Sequence, residues 1–210
     1  MKYNTFENII KTITVEADIN KNRNIILLLC GNSGSGKSTF ESKLVRKNSN
    51  LFFKLPQCTT REKRPYEKPY DYFFINKETY GLLKDKLIAK IQGKSFNGTC
   101  YGTIPAFSKG KINTCVASYE AIDDIVKMYD DNDPLIKNSI IYTLLFDVDY
   151  EHLKSKREGR DKNFIIKEQT ELVKSLNNAY DKKVIRDIGY WRFEDNGFRF
   201  PEMHDVNLKD

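Results

Sequence analysis

Residues 25–40 read IILLLCGNSGSGKSTF, and this stretch constrains the chain more than any other. An unbroken aliphatic run, Ile25 to Leu29, meets a glycine-rich turn, which is the pattern of a strand buried on both faces of a parallel sheet. The turn, Gly31 to Ser38, is a full G-x-x-x-x-G-K-S. Its glycines let consecutive backbone N–H groups point inward and cradle polyphosphate oxygens. From Lys37 the chain is predicted to enter a helix whose positive end faces the same phosphates. The candidate cradle is Gly31, Asn32, Ser33, Gly34, Ser35, Gly36, Lys37, Ser38 and Thr39. In this motif the lysine reaches the β- and γ-phosphates and the serine hydroxyl binds Mg²⁺, so Lys37 and Ser38 imply ATP and Mg²⁺ as cofactors.

The 210 residues suit one domain, and 40% hydrophobic content is enough for a core. No stretch approaches a membrane span and the N-terminus carries no apolar signal region, so a cytoplasmic protein away from membranes is expected. The net charge of +6 suits a polyanionic ligand. The basic residues are scattered rather than gathered in a run, which argues against nucleic acid as a partner. Cys30, Cys58, Cys100 and Cys115 lack C-x-x-C spacing and read as reduced thiols. His152 and His204 have no metal or triad context. Oligomeric state has no signature in the sequence.

Further along, Leu51–Leu55 reads as a short strand ended by Pro56. Strand candidates Asn113–Ala117 and Ser139–Phe146 alternate with helix candidates Tyr119–Tyr129 and Tyr150–Arg157, which by itself indicates an α/β fold. Phe164–Lys182 has the spacing of a long amphipathic helix. Before the P-loop strand, Phe6, Ile9, Ile10 and Ile13 recur at helical spacing. At the other end, Asn196-Gly197 between aromatic runs predicts a hairpin over about residues 188–202.

Residues 57–74, QCTTREKRPYEKPYDYFF, place Arg61 and Arg64 in a loop followed by tyrosines. An arginine fork makes two parallel charge-assisted bonds to phosphate. Alone, such a loop is as readily a solvated surface. Together with the P-loop it resembles the guanylate kinases. That family has G-x-S-G-x-G-K-S-T, matched by Gly31–Thr39, and T-T-R-x-x-R-P-x-E, matched by Thr59, Thr60, Arg61, Arg64, Pro65 and Glu67. Its D-Y-x-F element is met by Asp71, Tyr72 and Phe74, and its Y-G-S/T element by Tyr101-Gly102-Thr103. Leu153–Arg160 looks like the entry to the family's lid, and the resemblance covers about residues 25–182.

The resemblance implies a single guanylate-kinase-like domain over 1–210 with the P-loop NTPase three-layer fold, helices covering both faces of a parallel core sheet. The core would comprise about residues 25–55 and 108–182, with a monophosphate-binding insert over about 56–107 and a lid over about 157–164. It further implies phosphorylation of GMP or dGMP, or a related nucleoside monophosphate, to the diphosphate. Arg61, Arg64, Tyr72 and Tyr101 would hold the acceptor phosphate; Gln57, Gln92 and Thr103 would line the base pocket; Lys37, Arg61, Arg157 and Arg160 would stabilise charge on the transferred group. Such chemistry rests on in-line positioning and charge stabilisation, so no general base is required.

Three departures from the family stand out. Gln57 and Gln92 replace a serine and a glutamate that read guanine. Glutamine offers one acceptor and one donor group, matching an edge that mixes the two, such as adenine N6/N1, better than the adjacent donors of guanine. A carboxylate from Glu78 or Asp85 is the plain alternative. Val116-Ala117-Ser118 replaces an acidic strand end, for which Asp147 or Asp149 are candidate substitutes. The family's arginine after the lid falls near Glu171, with Lys167 and Lys174 close by. The alternatives are therefore a kinase of this fold acting on a modified nucleotide or sugar phosphate, or a catalytically weak nucleotide-binding module.

Overall fold

The computed structural model describes residues 13–15, 22–65, 67–68, 71–92, 98–148, 153, 162–194 and 197–199. Strand β1 (Asn24–Gly31) lies near the middle of a six-stranded sheet. Ile26, Leu27, Leu28 and Leu29 are at most 1% exposed, because each face of the strand meets its own core cluster. Burying each of these side chains contributes about 2 kcal/mol. Helix α1 (Lys37–Lys47) follows, then β2 (Phe52–Lys54), whose partner in the sheet comes much later in the chain.

The chain next builds a second sheet from β3 (Gln57–Thr59), β4 (Phe73–Phe74), β5 (Ile88–Gln92) and β6 (Cys100–Thr103), in the order β4-β3-β6-β5. Helix α2 (Lys77–Leu83) lies between β4 and β5, and Asn76 caps it by accepting from Thr79 N at 2.8 Å. This sheet has a small core of its own around Cys58, Tyr80 and Leu87.

The chain then returns to the large sheet. Strand β7 (Ile112–Ala117) inserts between β1 and β2, helix α3 (Tyr119–Asp130) covers it, and short helix α4 (Pro134–Lys137) leads to β8 (Ser139–Asp147) on the other side of β1. Long helix α5 (Lys162–Asp181) packs against α3, and β9 (Arg186–Glu194) adds beside β8. Strands β2, β7, β1, β8 and β9 are mutually parallel; β10 (Gly197–Arg199) pairs antiparallel with β9. Helix α1 packs on one face with Phe40 and Leu44, and α3 and α5 cover the other with Ile122, Ile125, Leu172 and Leu176. The fold is thus the three-layer α/β arrangement expected of a P-loop protein.

The expected strands and helices within residues 24–147 appear within a few residues of their predicted limits. The hairpin reading was incomplete: β9 is also the outer parallel strand of the core sheet, which aromatic runs and a turn signal do not announce. Of the predicted N-terminal helix only residues 13–15 are described; they are helical, and Ile13 is fully buried against the α1 face of the sheet. The predicted helix Tyr150–Arg157, residues 157–161 of the predicted lid, Asp149 and both histidines lie outside the described residues, apart from Leu153, which is helical and buried; residues 162–164, the end of the predicted lid, are the first turn of α5. All four cysteines are free, as their spacing suggested.

Candidate active site

The parallel strands β1, β7 and β8 end at one edge of the sheet, with Gly31 in register with Phe146 and Cys30 with Ala117. In open α/β sheets this carboxyl edge, where successive connections leave in opposite directions, is where ligands bind. The P-loop leaves β1 here. Gly34 and Gly36 adopt φ of 91° and 87°, which a side chain would resist. Gly31 is required for a second reason: a Cβ there would lie 2.8 Å from Phe146 O and 2.9 Å from Phe146 Cβ. Helix α1 starts immediately after Gly36 and has no side-chain cap, so its first amides are left for the loop's ligand. Lys37 is buried, with Nζ donating to Gly31 O at 2.7 Å, Asn32 O at 2.6 Å and Ser35 Oγ at 3.2 Å. Ser38 and Thr39, in the first turn of α1, are exposed.

The acceptor loop is equally ordered. The Arg61 fork grips the Glu67 carboxylate from both Nη atoms, Nη1 at 2.6 Å from Oε2 and Nη2 on Oε1. Glu67 also accepts from Arg64 N at 2.9 Å. The Arg61 hydrogen bonds hold the Glu67 carboxyl below the usual carboxylate range, and Glu67 in turn raises Arg61. The Arg61 guanidinium lies 5.2 Å from the Tyr72 ring centre and 5.5 Å from that of Phe74, and Tyr72 meets Tyr101 edge-on at 6.1 Å. Arg61, Tyr72 and Tyr101, 40 residues apart in sequence, are thereby one cluster; Arg64 joins it through Glu67. Burial, with Tyr101 nearby, pushes the Tyr72 hydroxyl up to about 12, so it remains a neutral donor.

Glu41 lies on α1, one helical turn beyond Ser38. Its carboxylate is 1% exposed, lies 3.6 Å from Lys54 Nζ, and is among the charges felt by Tyr72. Burial raises its pKa, and Lys54 only partly offsets this. Sequence reasoning missed Glu41. The available signal was its position on α1, at helical spacing from the buried Lys37 and Leu44.

The predicted base pocket differs from what its residue types suggested. Gln57 Nε2 donates to Val116 O at 3.2 Å and to Thr103 Oγ1 at 3.2 Å. A backbone carbonyl only accepts, so the amide nitrogen must face it. Gln57 therefore turns its donor inward, stitching the small sheet to β7, and leaves Oε1 as the atom available to a ligand. Thr103 is fully buried, and its hydroxyl also lies 3.1 Å from Cys115 Sγ, whose thiol burial raises to about 12. Gln92 ends β5, exposed, opposite Cys100. Glu78 and Asp85 are exposed on α2 and the turn after it.

Of the lysines considered on α5, Lys174 pairs with Glu171 at 3.3 Å on the outer surface and Lys167 is exposed. The side chain that α5 sends to the P-loop is Glu168, 7% exposed, whose Oε1 accepts from Ser33 N at 3.3 Å. It was legible as a carboxylate on the helix's buried stripe, with Ile165, Leu172, Ser175 and Ala179. Arg157 and Arg160 lie outside the described residues.

Several buried polar atoms at this edge have no hydrogen-bond partner among the described residues: Asn32 Oδ1 in the P-loop, Arg61 Nε in the acceptor loop and Ser118 Oγ at the end of β7. Buried polar groups are rarely left so, and a polar ligand between the loops would answer them. No group of three acidic, His or Cys side chains among the described residues is placed to hold a metal.

The fold and this edge define a P-loop protein of the α/β class. Residues 21–113 match the family model for guanylate kinase. The chain is 34% identical to guanylate kinase of Thermotoga maritima over 89 residues, 37% identical to that of Sus scrofa over 82 and 36% identical to that of Prochlorococcus marinus over 93. These stretches are 42%, 38% and 44% of this chain, and 42%, 40% and 50% of the relatives, so the chain spans about half or less of the curated relatives it matches. A crystal structure of guanylate kinase from Anaplasma phagocytophilum aligns at TM-score 0.49 and 17% identity over 83% of this chain and 79% of that one. By these sequence matches residues 21–113, the stretch that holds the P-loop and Arg61, are similar to the guanylate kinases.

Proposed function

We propose that this protein transfers the γ-phosphoryl group of ATP to a nucleoside monophosphate, giving the diphosphate. The observation that carries this reading is that one chain holds both a P-loop, with Lys37 turned into it, and an Arg61–Tyr72–Tyr101 cluster. One half suits a triphosphate and the other a second phosphate. The P-loop amides and Lys37 would hold the β- and γ-phosphates, and Arg61, Arg64, Tyr72 and Tyr101 the acceptor phosphate. With the two anions fixed in line, the acceptor oxygen attacks without a general base. Mg²⁺ held at Ser38 would supply charge neutralisation on the phosphates. Arg157 and Arg160 are the proposed lid contribution to the same end.

GMP or dGMP is the acceptor by relationship. A second reading, in which the base is not guanine, rests on Gln92 standing where the resemblance places a glutamate; Gln57, with its amide nitrogen committed to Val116 O, meets a ligand as an acceptor only and is compatible with guanine's donors. The test is ATP turnover with Mg²⁺ against GMP, dGMP, AMP, dAMP, CMP, UMP and dTMP, with Lys37→Ala as control. Turnover of at least one monophosphate, lost in Lys37→Ala, is the expected result. Exclusive use of GMP or dGMP would sink the second reading. ATP binding without turnover of any of them would sink the first, in favour of another phosphorylated acceptor or a binding role.

A further inference from the structure

We infer that Glu168 is a positioning residue of the P-loop, an internal anion that shapes the phosphate cradle and sets its affinity for nucleotide. The inference rests on the P-loop binding phosphate. Glu168 is on α5, 135 residues from Ser33, yet its Oε1 is the acceptor for the Ser33 amide at 3.3 Å. That amide belongs to the run of N–H groups, Gly31 to Ser38, whose use is to bind anions. A carboxylate on it satisfies the loop as a phosphate oxygen would. The carboxylate is 7% exposed, so its charge acts across a poorly screened space. Lys37 does the complementary thing, turning Nζ back onto Gly31 O and Asn32 O. The loop is thus held by groups of its own chain of both charges.

Two consequences follow. Phosphate entering the cradle meets a fixed like charge, which weakens binding in proportion to the charge it brings. The contact also joins the loop to α5, with which Asn32 shares a small cleft lined by Phe146, Gln169 and Leu172. Movement of the P-loop on binding is therefore transmitted to the helix that follows the proposed lid.

The experiment measures the Kd values of ATP, ADP, AMP and adenosine by calorimetry, for the wild type and for Glu168→Gln and Glu168→Leu. The glutamine keeps an oxygen to accept from Ser33 N and removes only the charge. ATP is expected to bind about three- to tenfold tighter to both variants, ADP less so, and AMP and adenosine unchanged. A purely structural hydrogen bond predicts no change in Glu168→Gln and weaker ATP binding in Glu168→Leu; either result would overturn the inference. Thermal unfolding of each variant identifies a folding defect. If the wild type bound no ATP, the nucleotide reading would fall instead, whereas ATP binding indifferent to Glu168 would remove only this proposal.

Discussion

The P-loop and the base pocket sit at the same edge of the sheet but are built in opposite ways. The P-loop is a single run of residues whose working groups are mostly backbone amides. Its geometry follows from glycines at fixed offsets and from β1 and α1 on either side. The proposed base pocket is assembled from β3, β6 and β7, where the side chains of Gln57, Thr103 and Cys115 meet. A backbone site tolerates little change, because each glycine is tied to a dihedral or a close contact. A side-chain site can be rewired by one substitution, and here Gln57 has turned its donor into the protein.

The comparison is broken most sharply by Gly31→Ala. The added Cβ would press on Phe146 O and Phe146 Cβ at a backbone φ of 145°. Strain of this kind costs about 1–3 kcal/mol before the clash is added. Tm is expected to fall by roughly 5–10 °C, with ATP turnover reduced at least about 100-fold. Near-normal turnover would show that the backbone site is as adaptable as the pocket.

Glu67→Ala probes the acceptor loop. It removes both bonds to the Arg61 fork and the acceptor for Arg64 N. Hydrogen bonds to charged groups contribute about 1.5–3 kcal/mol each, so the KM for the monophosphate is expected to rise about tenfold or more, with the KM for ATP little changed. The same contact gives a pH dependence. A carboxyl held below its unfolded pKa stabilises the protein at neutral pH, and this contribution is lost as pH falls through the depressed folded value. Acid unfolding of the wild type should show that component and Glu67→Ala should lack it. An equal rise in both KM values would mean that the two halves do not act separately.

The smallest effect is expected from Glu41→Leu combined with Lys54→Met. Replacing a buried ion pair with apolar side chains is often neutral, or stabilising by about 1–4 kcal/mol. Glu41 has a raised pKa, so the wild type loses stability as pH rises from the ordinary glutamate range through that raised value. The double variant should flatten this slope in urea titrations at several pH values. A large loss of stability would identify the pair as a structural joint between α1 and β2.

These tests also mark how far the sequence could be read. The strand and glycine turn of residues 25–38 were legible because their determinants are neighbours in the chain. Helix α3 was legible because Ala121, Ile122, Ile125 and Val126 recur at the helical period. Strand β9 was not, because its place beside β8 depends on pairing across about 40 residues, and a local turn signal drew attention to the hairpin instead. Gln57 was found as a pocket residue, but its polarity was not readable: a glutamine can face either way until a carbonyl fixes its nitrogen. Glu41 and Glu168 were overlooked for a related reason. A carboxylate in an amphipathic helix reads as surface until the fold shows that its turn of the helix is buried.

The sequence by itself determined the P-loop and the order of strands and helices through most of the core, because backbone geometry and periodicity are local properties; the Arg61–Tyr72–Tyr101 set was reached only through the family resemblance. Only the tertiary structure decided which atoms of Gln57 and Thr103 remain for a ligand, which carboxylate reaches the Ser33 amide, and what Arg61 holds when no phosphate is there. Those outcomes depend on partners that burial brings within hydrogen-bonding distance, and burial is a property of the whole chain.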